Sequence, residues 1–285
     1  FLMMGAAAII AGLLTKSLVQ PVLKMTDDLD HIQENVPYKE LIPFAESIHS
    51  DRMLRENNEK MRQEFTANVS HELKTPLTSI SGYAELIETG IAKPADTPDF
   101  ARKIHVEASR MIQLVNDILQ LSHLDNVSET GAAPAMETVD LLDVARECVE
   151  RQKVNARRSY ISLTYLGESA PVTGSRVLLD ELCQNLCDNA IRYNRPGGKV
   201  QIITACTRDG HCTLTVKDIG IPKEAQTSVF ERFYRVDKSR SKATGGTGLG
   251  LAIVKHIARI HNARIKLDSV VDEGTTITVI FETAS

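Results

Sequence analysis

The sequence predicts an α+β protein in two parts. The first is a helical hairpin that acts as a dimerisation domain, forming a four-helix bundle with a second copy. The second is a mixed sheet with helices on one side. Three observations predict this. Two stretches, 73–91 and 104–122, repeat apolar residues at alternating spacings of four and three, the seam of a bundle helix. A small, polar, breaker-rich stretch, NVSETGAAPAME at 126–137, then reads as a linker. Beyond it, helical periods mix with short runs that alternate apolar and polar, as strands do. The length of 285 residues suits roughly two domains. A 42% hydrophobic and 25% charged composition is that of a globular chain, and a net charge of -4 gives no sign of a nucleic-acid partner.

The first residues, FLMMGAAAIIAGLL, carry no charge and are followed by Lys16. A membrane span needs ~20 residues. Residues 1–19 therefore read as the cytoplasmic end of a transmembrane helix, with Lys16 and Lys24 on the inner side. Residues 17–30 read as a helix leaving the membrane, and Pro37 and Pro43 mark a break. From Phe44 the alternating charges of DRMLRENNEKMRQEF describe a solvated helix or coiled coil, a stiff rod leading to the next segment.

That segment, FTANVSHELKTPLTSI at 65–80, is where chemistry first shows. Leu73, Leu77, Ile80, Ala84, Ile87 and Ile91 form the seam. His71 lies two residues before Leu73, about 200° round a helix from it, so its imidazole faces water beside Glu72, with Thr75 one turn on. Gly90, Pro94 and Pro98 end this helix near Thr89, and Pro76 within it removes a backbone bond and is expected to bend it. The second helix starts near Pro98 and repeats Ile104, Ala108, Met111, Val115, Ile118 and Ser122, widened by Leu114, Leu119 and Leu121. One hairpin leaves its stripe half exposed, which predicts a homodimer.

After the linker, 141–154, 176–194 and 249–261 read as helices. Residues 160–166, 199–206, 212–217, 263–270 and 275–282 read as strands, with turns at Asp209-Gly210 and Gly274. The cysteines Cys148, Cys183, Cys187, Cys206 and Cys212 have no paired metal spacing and read as small buried apolar side chains, their odd number fitting a reducing compartment.

Three stretches carry polar residues where a core would not want them. Asn185 and Asn189 share a helix face, and their amide oxygens suit Mg²⁺, which keeps waters and takes its other ligands from phosphates. Asp218-Ile219-Gly220 ends a strand, where a carboxylate can accept from a purine amine and the glycine admits a flat ring. GGTGLGL at 245–251 opens a helix, whose free N–H groups attract phosphate. The last matches neither a P-loop nor a dinucleotide fingerprint.

SHELKTPL, the run Asn185-Leu-Cys-Asp-Asn-Ala-Ile, Asp218-x-Gly220, FERFYR and GGTGLGLAIVK, in this order, resemble the H, N, G1, F and G2 boxes of membrane sensor histidine kinases over about residues 62–283. The resemblance implies a GHKL-type α/β sandwich that binds ATP and Mg²⁺. It implies that His71 is the phosphoacceptor, Glu72 its acid/base, and Thr75 the residue that orients water for dephosphorylating the partner. It implies Asn189 as the Mg²⁺ ligand, with Asn185 near the phosphates, Arg192 in place of the usual phosphate-contacting lysine, and Tyr193 against the adenine. Phe230 and Phe233 match the F box under an ATP lid at about 235–247, and Gly246, Thr247, Gly248, Leu249 and Gly250 match the phosphate-facing G2 turn. The G1 box departs from the family pattern: D-x-G-x-G-I-P is shortened by two residues to Asp218-Ile219-Gly220-Ile221-Pro222, which shortens the loop beneath the base and implies weaker nucleotide binding.

The expected organisation is a membrane helix end at 1–19, a juxtamembrane linker at 20–61 that is HAMP-like at most, a dimerisation and phosphotransfer domain at 62–125, a linker at 126–138 and an ATP-binding domain at 139–285. The expected function is autophosphorylation of His71 and transfer to an aspartate of a response-regulator receiver domain, with phosphatase activity too, at a cell membrane with the kinase core in the cytoplasm. The alternatives are a weak kinase acting mainly as a phosphatase, and a non-catalytic GHKL-type dimeric scaffold.

Overall fold

The computed structural model describes residues 2–20, 38–130, 134–218, 226, 228–235, 246–270 and 274–282. It divides into two compact units, Phe1–His71 and Glu72–Ser285.

In the first unit, helix α1 (Leu2–Leu14) continues into a π-helical turn, Thr15–Val19. Its Ile9, Ile10, Leu13 and Leu14 are exposed. Among the described residues no helix is long and apolar enough to cross a membrane. The expected helix at 17–30 and the break at Pro37 lie largely outside the described residues. A 3-10 turn, Lys39–Leu41, leads into α2 (Ile42–Glu88), which belongs to both units. Pro43 sits in its first turn, where a missing N–H costs nothing. The charged stretch is helical as expected, with exposed pairs Arg52–Glu56 at 2.8 Å and Arg55–Asp51 at 2.9 Å one turn apart. The expected rod and the His71 helix are thus one helix, and it remains helical through Pro76.

In the second unit, α2 ends at Glu88 and α3 runs Thr97–Thr130. Residues 126–130, read from the sequence as linker, are the last turn of α3. In the single chain, part of the expected stripe of α3 is buried and part is exposed. Leu114, Asp117, Leu121 and Leu124 are buried, whereas Val115 and Ser122 are exposed. The helix has two apolar faces, and the one carrying Leu114 and Leu121 joins the core of the sheet domain. Leu77, Ile112 and Leu119 stay more than half exposed.

The sheet domain follows the order β1 (Glu137–Asp140), α4 (Leu141–Arg158), β2 (Ser162–Gly167), β3 (Pro171–Gly174), α5 (Arg176–Arg192), β4 (Lys199–Cys206), β5 (His211–Asp218), α6 (Gly250–Ile260), β6 (Arg264–Val270) and β7 (Gly274–Glu282). Five strands form one sheet in the order β2-β4-β5-β7-β6, parallel only between β2 and β4. The strand expected from Tyr160 starts later because Tyr160, with φ +58°, belongs to a turn. Strands β1 and β3, absent from the sequence-based expectation, form a four-residue antiparallel pair in which Val139 faces Val172.

Alternation builds the core. Val200 and Ile202 of β4, Leu214 and Val216 of β5, and Ile277, Val279 and Phe281 of β7 face the helices and are buried. Leu182, Cys183, Leu186 and Cys187 of α5, Cys148 of α4, and Ile253 and Ile257 of α6 meet them. Cys148, Cys183 and Cys187 are buried free thiols, as read. Cys206 and Cys212 are not: β4 and β5 set them directly opposite each other, and they form a disulfide. Their partnership is decided by hairpin register, which spacing alone does not reveal.

Leu182 is fully buried. Truncation by Leu182→Ala is expected to cost about 2–5 kcal/mol of stability, read as a lower denaturant midpoint at unchanged slope.

Candidate nucleotide and phosphoacceptor site

His71 is exposed on α2, as its spacing from the seam predicts, and Thr75 is exposed one turn on. His71 belongs to the first unit and the remaining candidates to the second. Glu72 is partly buried between two guanidinium groups, with Oε2 3.0 Å from Arg235 and 3.6 Å from Arg110. The proline at 76 leaves the Glu72 carbonyl without its usual intrahelical donor.

Helix α5 positions the second cluster. Its apolar face enters the core through Leu182, Leu186 and Ile191. The polar residues of the expected N box emerge on another face at helical spacing: Asn185, Asn189, Arg192 and, at the C-cap, Tyr193. Asn185 donates its amide to the Glu181 carbonyl at 3.1 Å. Arg192 is held by Asp188 at 2.7 Å.

The glycine turn that opens α6 lies against this face. A Cβ at Gly250 would stand 3.0 Å from Asn185 Oδ1 and 3.3 Å from Asn189 Nδ2. A Cβ at Gly246 would stand 2.6 Å from the Tyr193 hydroxyl. Gly248 has φ +76°, and a Cβ there would meet the Phe233 backbone at 3.0 Å. Phe233 itself has φ +63°, and its N–H donates to the Gly248 carbonyl at 2.9 Å. Phe230 and Phe233 pack on the core, so the expected F box props the turn from below. Asn185, Asn189, Arg192, Tyr193, Phe233 and Gly246–Gly250, far apart in sequence, are thus brought together. Gly220 and most of the expected lid lie outside the described residues.

Asp218 ends β5 on the helix-facing side. Burial raises its pKa from 3.8 to about 7, against a hydrogen bond from Thr275 that lowers it. Its Oδ1 is buried and has no partner among the described residues. A buried acceptor lacking a donor is what a purine amine would satisfy, and hard amide oxygens beside N–H groups at a helix start fit a Mg²⁺–phosphate group. The residues present therefore fit ATP with Mg²⁺.

The structure adds residues the motifs did not contain. Glu181 lies one turn before Asn185 on α5, and burial, then the charge of Asp117, raises its pKa to about 7. Asp117 of α3 accepts from the Thr247 hydroxyl at 2.6 Å. Asp125 of α3 receives Arg232 at 2.9 Å on both oxygens, with His256 3.2 Å away. A helical period singles out none of them, because their partners come from the other domain.

A helical hairpin bearing an exposed histidine, joined to a helix-backed sheet with a glycine turn closed on paired asparagines, defines a phosphoacceptor domain with a nucleotide-binding partner. Family comparison agrees. Residues 61–127 match the His Kinase A (phospho-acceptor) domain, and residues 174–285 match the histidine kinase-, DNA gyrase B- and HSP90-like ATPase family. The chain belongs to the two-component sensor histidine kinases. It is 42% identical over 243 residues to sensor-like histidine kinase SenX3 of Mycolicibacterium smegmatis, covering 83% of this chain and 61% of that one. It is 40% identical over 223 residues to sensor protein kinase WalK of Staphylococcus saprophyticus, covering 77% of this chain and 36% of that protein. The chain thus spans between about a third and three fifths of these two relatives. Among solved structures, histidine kinase ThkA in complex with response regulator protein TrrA aligns with TM-score 0.63 at 22% identity, over 83% of this chain and 66% of that one. Acinetobacter baumannii histidine kinase AdeS aligns with TM-score 0.58 at 24% identity, over 75% of this chain and 98% of that one. Both share the fold.

An aspartate whose native pKa lies above its ordinary value binds a proton in the folded state that the unfolded chain has released. Stability therefore falls as pH rises from about 4 toward about 7. Asp218→Asn is expected to flatten that part of the profile, measured by denaturant unfolding at steps between pH 4 and 8. It is also expected to weaken binding of adenine nucleotides.

Proposed function

We propose that the chain is the kinase core of a sensor protein that transfers the γ-phosphoryl group of ATP to His71 and then to an aspartate of a response-regulator receiver domain. The observation that carries this reading is the closure of the glycine turn Gly246–Gly250 on Asn185, Asn189 and Tyr193, in a chain that also displays an exposed histidine. Family membership supports it.

ATP is the substrate. Asp218 accepts from the adenine amine, Tyr193 packs beside the ring, and the N–H groups of Gly246, Thr247, Gly248, Leu249 and Gly250 face the phosphates with Arg192 and Asn185. Asn189 would hold Mg²⁺, which neutralises phosphate charge. Phosphoryl transfer needs positioning and charge neutralisation more than covalent help. A neutral imidazole nitrogen of His71 attacks phosphorus, the bond to the ADP oxygen breaks, and ADP leaves. The proton on the other ring nitrogen passes to Glu72, once Glu72 is released from Arg110 and Arg235. The P–N bond then breaks as the receiver aspartate attacks. In the separate phosphatase reaction Thr75 orients a water that attacks the receiver's phosphoaspartate, freeing the aspartate and inorganic phosphate. Phosphoacceptor function spans 62–125, nucleotide binding 139–285, and the linker between them carries the swing.

The exposed Leu77, Ile112 and Leu119 support pairing of two hairpins into a four-helix bundle. The uncharged segment ending at Leu14, with its exposed isoleucines and leucines, supports attachment to a membrane, with residues 20–61 as the juxtamembrane linker. The kinase core then lies in the cytoplasm.

Incubation with γ-labelled ATP and Mg²⁺ is expected to place an acid-labile, base-stable label on the wild-type chain and none on His71→Gln. Label persisting on the variant rejects the assignment. Leu119→Asp is expected to shift the protein from dimer to monomer in light scattering.

A further inference from the structure

Asp117 stands out among the groups that the proposed chemistry leaves unused. It belongs to α3, yet it is 8% exposed and lies against the sheet domain. One carboxylate oxygen accepts from Gln113 at 2.7 Å. The other accepts from Thr247 at 2.6 Å. Thr247 is itself buried, stands between Gly246 and Gly248, and accepts from the Leu249 N–H at 3.4 Å. An acidic side chain from the phosphoacceptor hairpin is therefore bonded into the turn that opens α6. Its charge is felt by Glu181, and it feels Arg192 and Asp188 in turn, so it sits over the phosphate-facing end of α5.

The docking that brings it there is substantial. Leu114, Leu121 and Leu124 of the same helix are buried in the core of the sheet domain. Arg232 grips Asp125 two turns further along, and Arg235 grips Glu72. All three acidic residues are on the hairpin, and all three donors are on the sheet domain.

We infer that Asp117 is an autoinhibitory latch: its carboxylate takes a hydroxyl of the phosphate-facing turn as a phosphate oxygen would, so that docking of α3 and occupation of the turn by the phosphates of ATP oppose each other. Like charges brought together in a partly desolvated site repel far more than in water. Binding the triphosphate weakens the α3 contact and frees the sheet domain to move. Conversely, the docked helix lowers affinity for phosphates, as reciprocity between the two equilibria requires. The latch rests on the reading of this site as one for ATP.

The test compares adenosine, ADP and ATP, each with Mg²⁺, by calorimetric titration into the full chain and into Asp117→Asn. The amide keeps the shape and an acceptor for Thr247, and its N–H₂ can donate to Gln113 once that side-chain amide turns its oxygen round, so the charge is lost with both contacts kept. Asp117→Ser serves the same purpose should the amide variant not fold, as judged by circular dichroism. The expected result is a gain that grows with phosphate number: adenosine within about twofold of wild type, ADP intermediate, ATP about tenfold tighter. An equal change for all three ligands would mean a packing effect and would overturn the latch. So would weaker ATP binding by Asp117→Asn, because Asp117 would then hold the metal. If none of the three binds either protein, the ATP reading falls and the latch with it.

Discussion

The turn before α6 meets α5 so closely that a side chain at any of three glycines would be crowded. At Gly246 and Gly250 a methyl group would press on the Tyr193 hydroxyl and the Asn185 amide, and at Gly248 on the Phe233 backbone. That close approach is the constraint on which the rest of the site depends. It sets the N–H groups of a helix start beside amide oxygens, which suits the phosphate and hard cation proposed for this site. Two residues at positive φ, Gly248 and Phe233, bonded N–H to carbonyl, hold the turn in that place. A non-glycine residue at φ +63° carries strain, and the packing of Phe233 on the core offsets it.

The core explains why α5 can serve two purposes. Its buried stripe of leucine and cysteine packs on β4, β5 and α6, and this fixes the angle at which Asn185 and Asn189 leave the helix. A buried aspartate on β5 supplies one carboxylate oxygen with no donor among the described residues. A buried carboxylate with one oxygen left without a donor is costly, and burial raises its pKa despite the bond from Thr275.

The helical hairpin shows a different balance. Glu72, Asp117 and Asp125 each find a cationic or hydroxyl partner on the sheet domain. Partly buried ion pairs of this kind contribute little net stability but set register and orientation, because a lone charge left behind is expensive. The apolar contacts of Leu114, Leu121 and Leu124 supply the driving force, and the acidic residues choose the pose.

Spacing alone determined much of this protein. The four-three repeats gave the hairpin, the exposure of His71, and the helices around Asn185 and after Gly250. Strand alternation gave the five strands of the sheet, because side-chain direction along one element is a local property. The ordered boxes gave the family. Tertiary structure decided what local pattern cannot encode. Which part of the α3 stripe is buried within one chain depended on the sheet domain it meets, so Leu114 and Leu121 went inside while Val115 and Ser122 stayed exposed. The short pair β1 and β3 exists only through pairing, and Cys206 met Cys212 only through hairpin register. The partners of Asp117 and Glu72 lie 130 and 163 residues away. Such contacts form when elements pack, because sequence fixes the face a residue is on but not what stands opposite.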